Sequence, residues 1–365
     1  MPDLIQDNKA VYQWAGINFG EQVCMLLQKS LQGLAKSSGA TSLRFWGKIN
    51  GTEKDYYIAE GVAEAPATEE EPNPQMEARG QDGVNKFAYW VCNCPSENKW
   101  TALPDLMPAD IAIARQVKFH FSGDLERRII TNPFLHKREK FLLRAQIARI
   151  SCSTSLIPNG LMKLDEEDKS NIVEVEPPDE GPAFVPKLKD MAQIGNWRHH
   201  SKSILNACRT KLLIEEEPPE GMEPEEFEKL KQAADPSEDR LKPINADRAV
   251  KGGAPAWSLR CYGDCTDYHS LQGDNAKVNF GVVVVRCNTW PGAFSFFTQQ
   301  KQHMHVYLGD GLKFEAKTFY PVHTPQMLAD PVERPTYLEP NPTASAIKRA
   351  EEAKAREAAG QEEAE

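Results

Sequence analysis

The sequence predicts an α+β fold: a largely antiparallel β-sheet core with a few peripheral helices and long acidic loops. Three observations predict it. A strongly periodic helical stretch near the start is followed by apolar runs of strand length, without the βαβ alternation that builds a parallel sheet. Polar turns of hairpin length join several of those runs. The acidity is confined to a few Pro-rich stretches that interrupt the pattern.

Residues 62–82 hold six acids and one base, residues 165–180 eight acids and one base, and residues 215–228 eight acids and no base. Together they carry −20 in a chain whose net charge is −10, so the remaining body is basic, at +10. Such stretches bury too little apolar surface to fold and read as solvated loops. They also read as an acidic surface for a basic partner, or as a counter-charge to the protein's own body.

The elements follow in order. Residues 21–37 form an amphipathic helix, with Val23, Leu27 and Leu31 at i, i+4, i+8, flanked by Leu26 and Leu34. Gly39 stands where a C-terminal cap belongs. Strands over 43–49 and 55–61 make a hairpin, and Asn50-Gly51 supplies the positive φ of a tight turn. A strand over 86–93 carries Phe87, Tyr89 and Val91 on one face. Pro108 opens a short helix in which Ile113, Val117 and Phe121 align and which Gly123 ends. Leu143, Ile147 and Ile150 also fit a helix, but the Ile-rich end running into Ser151-Cys152 reads 139–152 as a strand. Residues 187–209 read as helical, and Pro224-Glu225-Glu226 opens a short exposed helix. The C-terminal third is mostly β: Val282 to Val285 is a continuous apolar run, Phe294 and Phe296 alternate, and Met304, Val306 and Leu308 oppose His303, His305 and Tyr307. Gly309-Asp310-Gly311 turns the chain. An Ala-, Glu- and Lys/Arg-rich helix closes it, with Ile347 as almost its only large apolar residue.

This divides the chain into a helix and hairpin (1–61), an acidic linker (62–82), a strand and helix part of the core (83–164), an acidic loop (165–186), a helical segment (187–213), an acidic Pro-rich insertion (214–250), a C-terminal β part (251–340) and a charged helical tail (341–365). Together they make one domain.

At 365 residues the chain can bury a sizeable core, and its 40% apolar content with 26 prolines suits folded parts separated by loops. No run of 18 apolar residues occurs, so no membrane span is expected. The N-terminus lacks the apolar stretch of a secretory signal. The eight scattered cysteines read as reduced thiols of the cytoplasm.

Candidate chemistry is sparse, and no enzyme is expected. Cys261, Cys265 and His269 are spaced by four, with Cys287 nearby, but zinc prefers two close pairs and the second is missing. Cys92 and Cys94 alternate on a strand, where a bridge would be strained. His199 and His200, neighbours on a helix, point about 100° apart. His303 and His305 share a strand face without a nearby acid. Gly309-Asp310-Gly311-Leu312-Lys313 lacks the spacing of a phosphate loop. No cofactor is expected. Aromatic and basic residues interleave in Arg44-Phe45-Trp46-Gly47-Lys48, but the overall acidity opposes nucleic acid. Alternation puts Phe45 and Trp46 on opposite faces, so one is core and the other is covered, as in a protein–protein interface.

Arg44 to Gly61 as a string closely resembles the signature of the radial spoke protein 4 and 6 family, the radial spoke head proteins of cilia and flagella. Further blocks follow in the family's order: Trp14-Ala15-Gly16 and Phe19-Gly20-Glu21 within residues 7–39, Gly83 to Asn93, Trp100 to Pro104, Ile111 to Arg115, Leu143 to Ser151, Asn196 to His200 with Ile204-Leu205, and Trp290-Pro291-Gly292-Ala293. The resemblance implies a non-catalytic structural subunit of the axoneme, part of the cytoskeleton. It implies pairing with a homologous spoke head subunit as a homo- or heterodimer and contacts with other spoke head and neck proteins. Transient contact with central pair projections, and relay of mechanical signals to the dynein-bearing doublets, follow from it too. Arg44, Phe45, Trp46, Lys48, Tyr56, Tyr57, Trp90 and Trp290 are the expected pairing surface, through edge strands and exposed aromatics. The competing reading is a cytosolic metal- or redox-responsive binding protein that uses Cys261, Cys265 and a histidine.

Overall fold

The computed structural model divides into two compact units, Met1–Ala316 and Lys317–Glu365. It describes residues 3–62, 76–80, 83–131, 135–166, 172–177, 184–210, 224–226, 240–250, 253–263, 281–298, 302–314, 347–349 and 351–354. Most of the three acidic stretches, Cys265 and His269 lie outside the described residues. In the second unit the described residues are helical.

The first unit contains helices α1 (Leu4–Asp7), α2 (Glu21–Ser38), α3 (Pro108–Gln116), α4 (Glu139–Thr154) and α5 (Leu188–Met191). Its strands are β1 (Ser42–Ile49), β2 (Tyr56–Val62), β3 (Ala88–Cys92), β4 (Thr101–Ala102), β5 (Leu156–Pro158), β6 (Met162–Leu164), β7 (Ile172–Glu174), β8 (Trp197–His199), β9 (Trp257–Gly263), β10 (Gly281–Cys287), β11 (Ala293–Thr298) and β12 (His303–Gly309). Eight strands form one sheet in the order β4-β3-β2-β1-β12-β11-β10-β9, while β5 pairs with β8 and β6 with β7. Every neighbouring pair in the large sheet is antiparallel except β1 and β12. The α+β expectation is met, and the sheet consists of two antiparallel halves joined by one parallel seam.

Both faces of the sheet are buried. One packs Trp46, Ile58, Tyr89, Val91, Val283, Val285 and Tyr307 against Ile111 and Ala114 of α3 and Leu143, Ile147 and Ile150 of α4. The other packs Phe45, Ala59, Trp90, Val282, Val284, Phe296 and Val306 against Leu4 of α1 and Leu27, Leu31 and Leu34 of α2. Two-sided burial explains the uninterrupted valine run of β10, since alternation with polar residues is needed only where a face meets water. Aromatic contacts fasten the N-terminal layer: Phe19 packs edge-on to Tyr12 and Phe45, with centroids 6.1 and 5.6 Å away, and Tyr12 lies 5.5 Å from Phe296.

A bulge shapes the centre of the sheet. The β1–β2 register slips between Phe45 and Gly47, which brings Trp46 and Ile49 to the same face. Gly47 takes φ 153°, and a side chain there would run into the Tyr307 carbonyl oxygen. Glycine is therefore required where β1 meets β12.

Several expectations are corrected. Residues 139–154 are a helix, not a strand: the helical spacing of Leu143, Ile147 and Ile150 was the right signal, and α4 is buried almost all round, so polar residues do not set it off. Residues 187–209 hold the short α5, a 3-10 turn at Ile194–Asn196 and strand β8 instead of a long helix. His199 is thus a strand residue. The helix opened by Pro108 stops at Gln116 and buries Ile111 and Ala114; Val117 follows as its cap and Phe121 lies beyond it. The β1–β2 connection is a six-residue loop in which neither Asn50 nor Gly51 has positive φ. Its backbone instead bonds across to 121–122, through Thr52 N to Phe121 O (2.8 Å) and Glu53 N to Ser122 O (3.0 Å). By contrast, α2 ends at a left-handed Gly39, as its sequence predicts.

Candidate assembly surfaces

The residues expected to form a pairing surface are mostly interior. Trp46, Tyr56, Trp90, Trp290 and Phe45 are all buried within this chain. The hairpin β1–β2 lies in the middle of the sheet, not at an edge. Phe45 and Trp46 do face opposite ways, but the chain's own N-terminal helices cover the second face. The expectation of exposed aromatics is corrected. Trp290 anchors the β10–β11 turn: Gly292 takes φ 100° there, Leu308 N donates to Gly292 O (2.7 Å), and the Trp290 ring carries the Arg149 guanidinium 5.2 Å from its centroid. Of the expected group, Arg44, Lys48 and Tyr57 keep partial exposure. Lys48 bonds Asp55 (2.7 Å) and lies over the Tyr57 ring.

Many buried polar groups are bound across elements. Glu60 accepts from Arg44 Nε (2.8 Å) and from the Tyr89 hydroxyl (3.0 Å). Glu139 accepts from the Tyr56 hydroxyl (2.8 Å), Ser122 N (2.9 Å), Gly123 N (3.1 Å) and Ser122 Oγ (2.7 Å). Arg144, fully buried, donates to Val84 O and stacks on Tyr89, and burial pushes its pKa down. These contacts tie interior polar groups together across elements.

The parallel seam is only three rungs long, from Gly47 opposite Tyr307 to Ile49 opposite Gly309. On the amino side β1 and β12 part, and a cavity of about 840 Å³ opens between Leu43 and Arg44 on one arm and His303 and His305 on the other. His305 is half-buried there, within 3.3 Å of Ser295 Oγ and 3.4 Å of Thr154 Oγ1. Burial, then the nearby Arg44 charge, pushes its pKa down to about 3. His303 shifts the same way for the same causes. Neutral imidazoles suit ligation, but no group of three or more metal-ligating side chains occurs among the described residues.

The sulfur candidates are not gathered. Cys261 on β9 sits opposite Val283, and Cys287 sits opposite Trp257, four positions along the same ladder. At about 3.3 Å per residue that is roughly 13 Å, too far for one zinc. Cys287 is buried and its thiol is pushed up to about 11 by burial, whereas Cys261 is exposed. Cys92 and Cys94 are free, and Cys92 Sγ donates to the Cys94 carbonyl.

Sequence reasoning missed the outer strand β9. Its seven residues pair with β10 on one side, and no strand among the described residues pairs with the other. Arg260 and Cys261 are exposed and Ser258, Leu259 and Tyr262 half-buried. The opposite edge, β4, is two residues long. Alternation in Trp257-Ser258-Leu259-Arg260 was the available signal, but it does not tell an edge strand from an inner one. No helix among the described residues is long and apolar enough to cross a membrane.

A central sheet packed on both faces, many cross-element polar contacts in its interior and a long outer strand that pairs with no second strand among the described residues define a scaffold-like body. The family described as radial spokehead-like protein matches residues 1–81 and 62–345, so the chain belongs to that family. Radial spoke head protein 6 homolog A of Mus musculus is 28% identical, over 87% of this chain and 50% of its own length. Radial spoke head protein 4 homolog A of Homo sapiens is 28% identical, over 92% and 49%. Flagellar radial spoke protein 4 of Chlamydomonas reinhardtii is 26% identical, over 83% and 65%. The chain thus spans about half the length of the two animal relatives.

Proposed function

We propose that this chain is a non-catalytic structural subunit of the radial spoke head in the axoneme of motile cilia or flagella. The observation that carries the reading is the family match through residue 345, which takes in both halves of the sheet and the helices on each face. In this reading it pairs with a like subunit, binds other spoke head and neck proteins, touches central pair projections transiently and relays mechanical signals to the dynein-bearing doublets. A stiff sheet clamped on both faces suits load transmission, because its strands cannot shear without unpacking two cores.

The pairing surface is assigned to β9. A seven-residue strand whose outer side pairs with no strand among the described residues can offer amides and carbonyls to another sheet, the means by which one sheet extends into another. Lys48, Arg44 and Tyr57, near the middle of the sheet, are secondary contacts for a third protein. The metal- or redox-responsive reading, built on Cys261, Cys265 and a histidine, is not carried forward: the family match lends it no support, and no group of three or more metal-ligating side chains occurs among the described residues.

Size-exclusion chromatography with light scattering, at low and high salt, tests the assignment. A dimer at both salts is expected. In a strand, successive N–H groups point to opposite sides, so only one of Arg260→Pro and Cys261→Pro removes an outward amide. That variant should be monomeric with near-normal stability, and its neighbour should lose stability by breaking the β9–β10 ladder. A dimer surviving both would sink the β9 assignment. A monomer at every concentration and salt, even with a homologous subunit added, would sink pairing itself.

A further inference from the structure

The central sheet is split along part of its length. Among the described residues, β1 pairs with β2 alone over Ser42–Phe45, and β12 pairs with β11 alone over His303–Val306. The two strands join only from Gly47 and Tyr307 onward. The register slip between Phe45 and Gly47 falls where they part, and a bulge bends the strand that carries it. Two strand edges thus face each other across the cavity of about 840 Å³. Along each, alternate residues direct their backbone N–H and C=O groups toward the gap.

The cavity has the dimensions of a strand. A strand residue in a packed sheet fills roughly 160 Å³, from a rise of about 3.3 Å, a strand spacing of about 4.8 Å and a layer spacing of about 10 Å. The cavity therefore holds about five such residues, close to the length of the open edges. Because β1 and β12 run parallel, a strand placed between them meets both in the same sense.

The two walls differ in chemistry. Toward α2 stand Leu43 and Met304, both packed in the apolar layer, with Ala35 and Ala40 beside them. Toward α4, Arg44 and Glu60 pair at 2.8 Å, and His305 lies 3.4 Å from Thr154 Oγ1. Side chains alternate between the faces of a strand, so an occupant that suits both walls alternates apolar with polar residues. Burying a further charge is costly, which favours neutral polar side chains such as Ser, Thr or Gln. Prolines interrupt all three acidic stretches of this chain, and proline cannot donate to a ladder, so these stretches make poor occupants.

From this geometry we infer that the split is a receptor for one strand of a partner protein, an extended segment of about five residues that alternates apolar with neutral polar side chains. Its insertion satisfies both open edges and closes the two half-sheets into one. The inference is independent of the β9 pairing, which extends the sheet at its rim.

The probe is chosen by selecting random peptides displayed on phage against the immobilised full chain. The enriched sequences should alternate apolar and polar residues, and one of them is synthesised. Hydrogen exchange of the full chain is then followed by mass spectrometry with and without that peptide. Amides in 42–46 and in 303–306 should both slow by about tenfold or more at a saturating peptide concentration. Met304→Asp sets a carboxylate on the apolar wall and should weaken binding at least about tenfold with unchanged circular dichroism. Arg260→Glu, on the exposed part of β9, should leave binding intact. If Met304→Asp unfolds the chain, exchange in the unaltered chain decides alone. No enriched peptide, protection of neither edge, or protection of one edge only would each overturn the inference. So would edges already protected without peptide: at every concentration this would mean that a segment of the same chain fills the split, and only on dimerisation that a second copy does.

Discussion

At the scale of single residues, the interior carboxylates are the points of greatest leverage. Glu139 at the start of α4 accepts four hydrogen bonds, from the β2 tyrosine and the 122–123 backbone and side chain. Glu139→Ala strands several buried donors and should cost about 3 kcal/mol in urea unfolding, while Tyr56→Phe alone should cost about 1 kcal/mol. In the Glu139→Ala background the Tyr56→Phe change should cost almost nothing further, because the two share one interaction. His305 provides a pH signature. Its folded pKa of about 3 lies below its ordinary 6.5, so between those values the unfolded chain binds the extra proton. This contribution to stability is therefore complete above pH 6.5 and is lost as pH falls toward 3. His305→Gln should flatten the stability–pH curve in that window; an unchanged slope would show that the imidazole titrates normally in its cavity. Neither role was legible in sequence: residues 139–152 read as a strand, with nothing to mark Glu139 as buried, and the His303–His305 pair suggested a shared face without revealing the split sheet beside it.

At the scale of elements, legibility followed one-sided burial. Helix α2 was readable because one face meets water and the other the sheet. Helix α4 was not, because it lies between the sheet and other chain segments, and its apolar residues do not gather into a stripe. The Leu, Ala, Arg, Gln and Glu content of 139–149 was the better guide, since these are strong helix formers. The hairpin's existence was readable; its position in the middle of the sheet was not, because nothing local says which strands flank a pair. The bulge is the element-level device with the sharpest test. Gly47→Val places a branched side chain against the Tyr307 carbonyl and should cost at least about 2 kcal/mol, followed by the fluorescence of the adjacent Trp46. Wild-type stability would show that β1 can retreat from β12 without loss. The candidate surface was not legible: Trp46, Trp90 and Trp290 are buried core residues, and β9, whose outer side pairs with no strand among the described residues, was missed.

At the scale of the whole molecule, acidic and basic residues are unevenly distributed along the chain. Acidity sits in three stretches of the chain, while a cleft lined by Trp290 gathers basic residues of the folded body. The sequence revealed the first half of that division through its acidic runs. It concealed the second, because Arg115, Arg149, Lys242, Arg248 and Lys313 come from distant segments and converge only in the fold.

The short seam between the two half-sheets also bears on how the protein is made. Asn50 and Asp310, which bond beside that seam, are 260 residues apart in the chain. The first half-sheet is complete once β4 (Thr101–Ala102) has emerged from the ribosome, but the β12 edge that joins it begins only at His303. At typical translation speeds the interval is roughly 10–40 s. Throughout it, the nascent protein presents β1 as an uncovered strand inviting the wrong neighbour. A chain built this way would gain from a chaperone that shields β1 until its distant mate arrives.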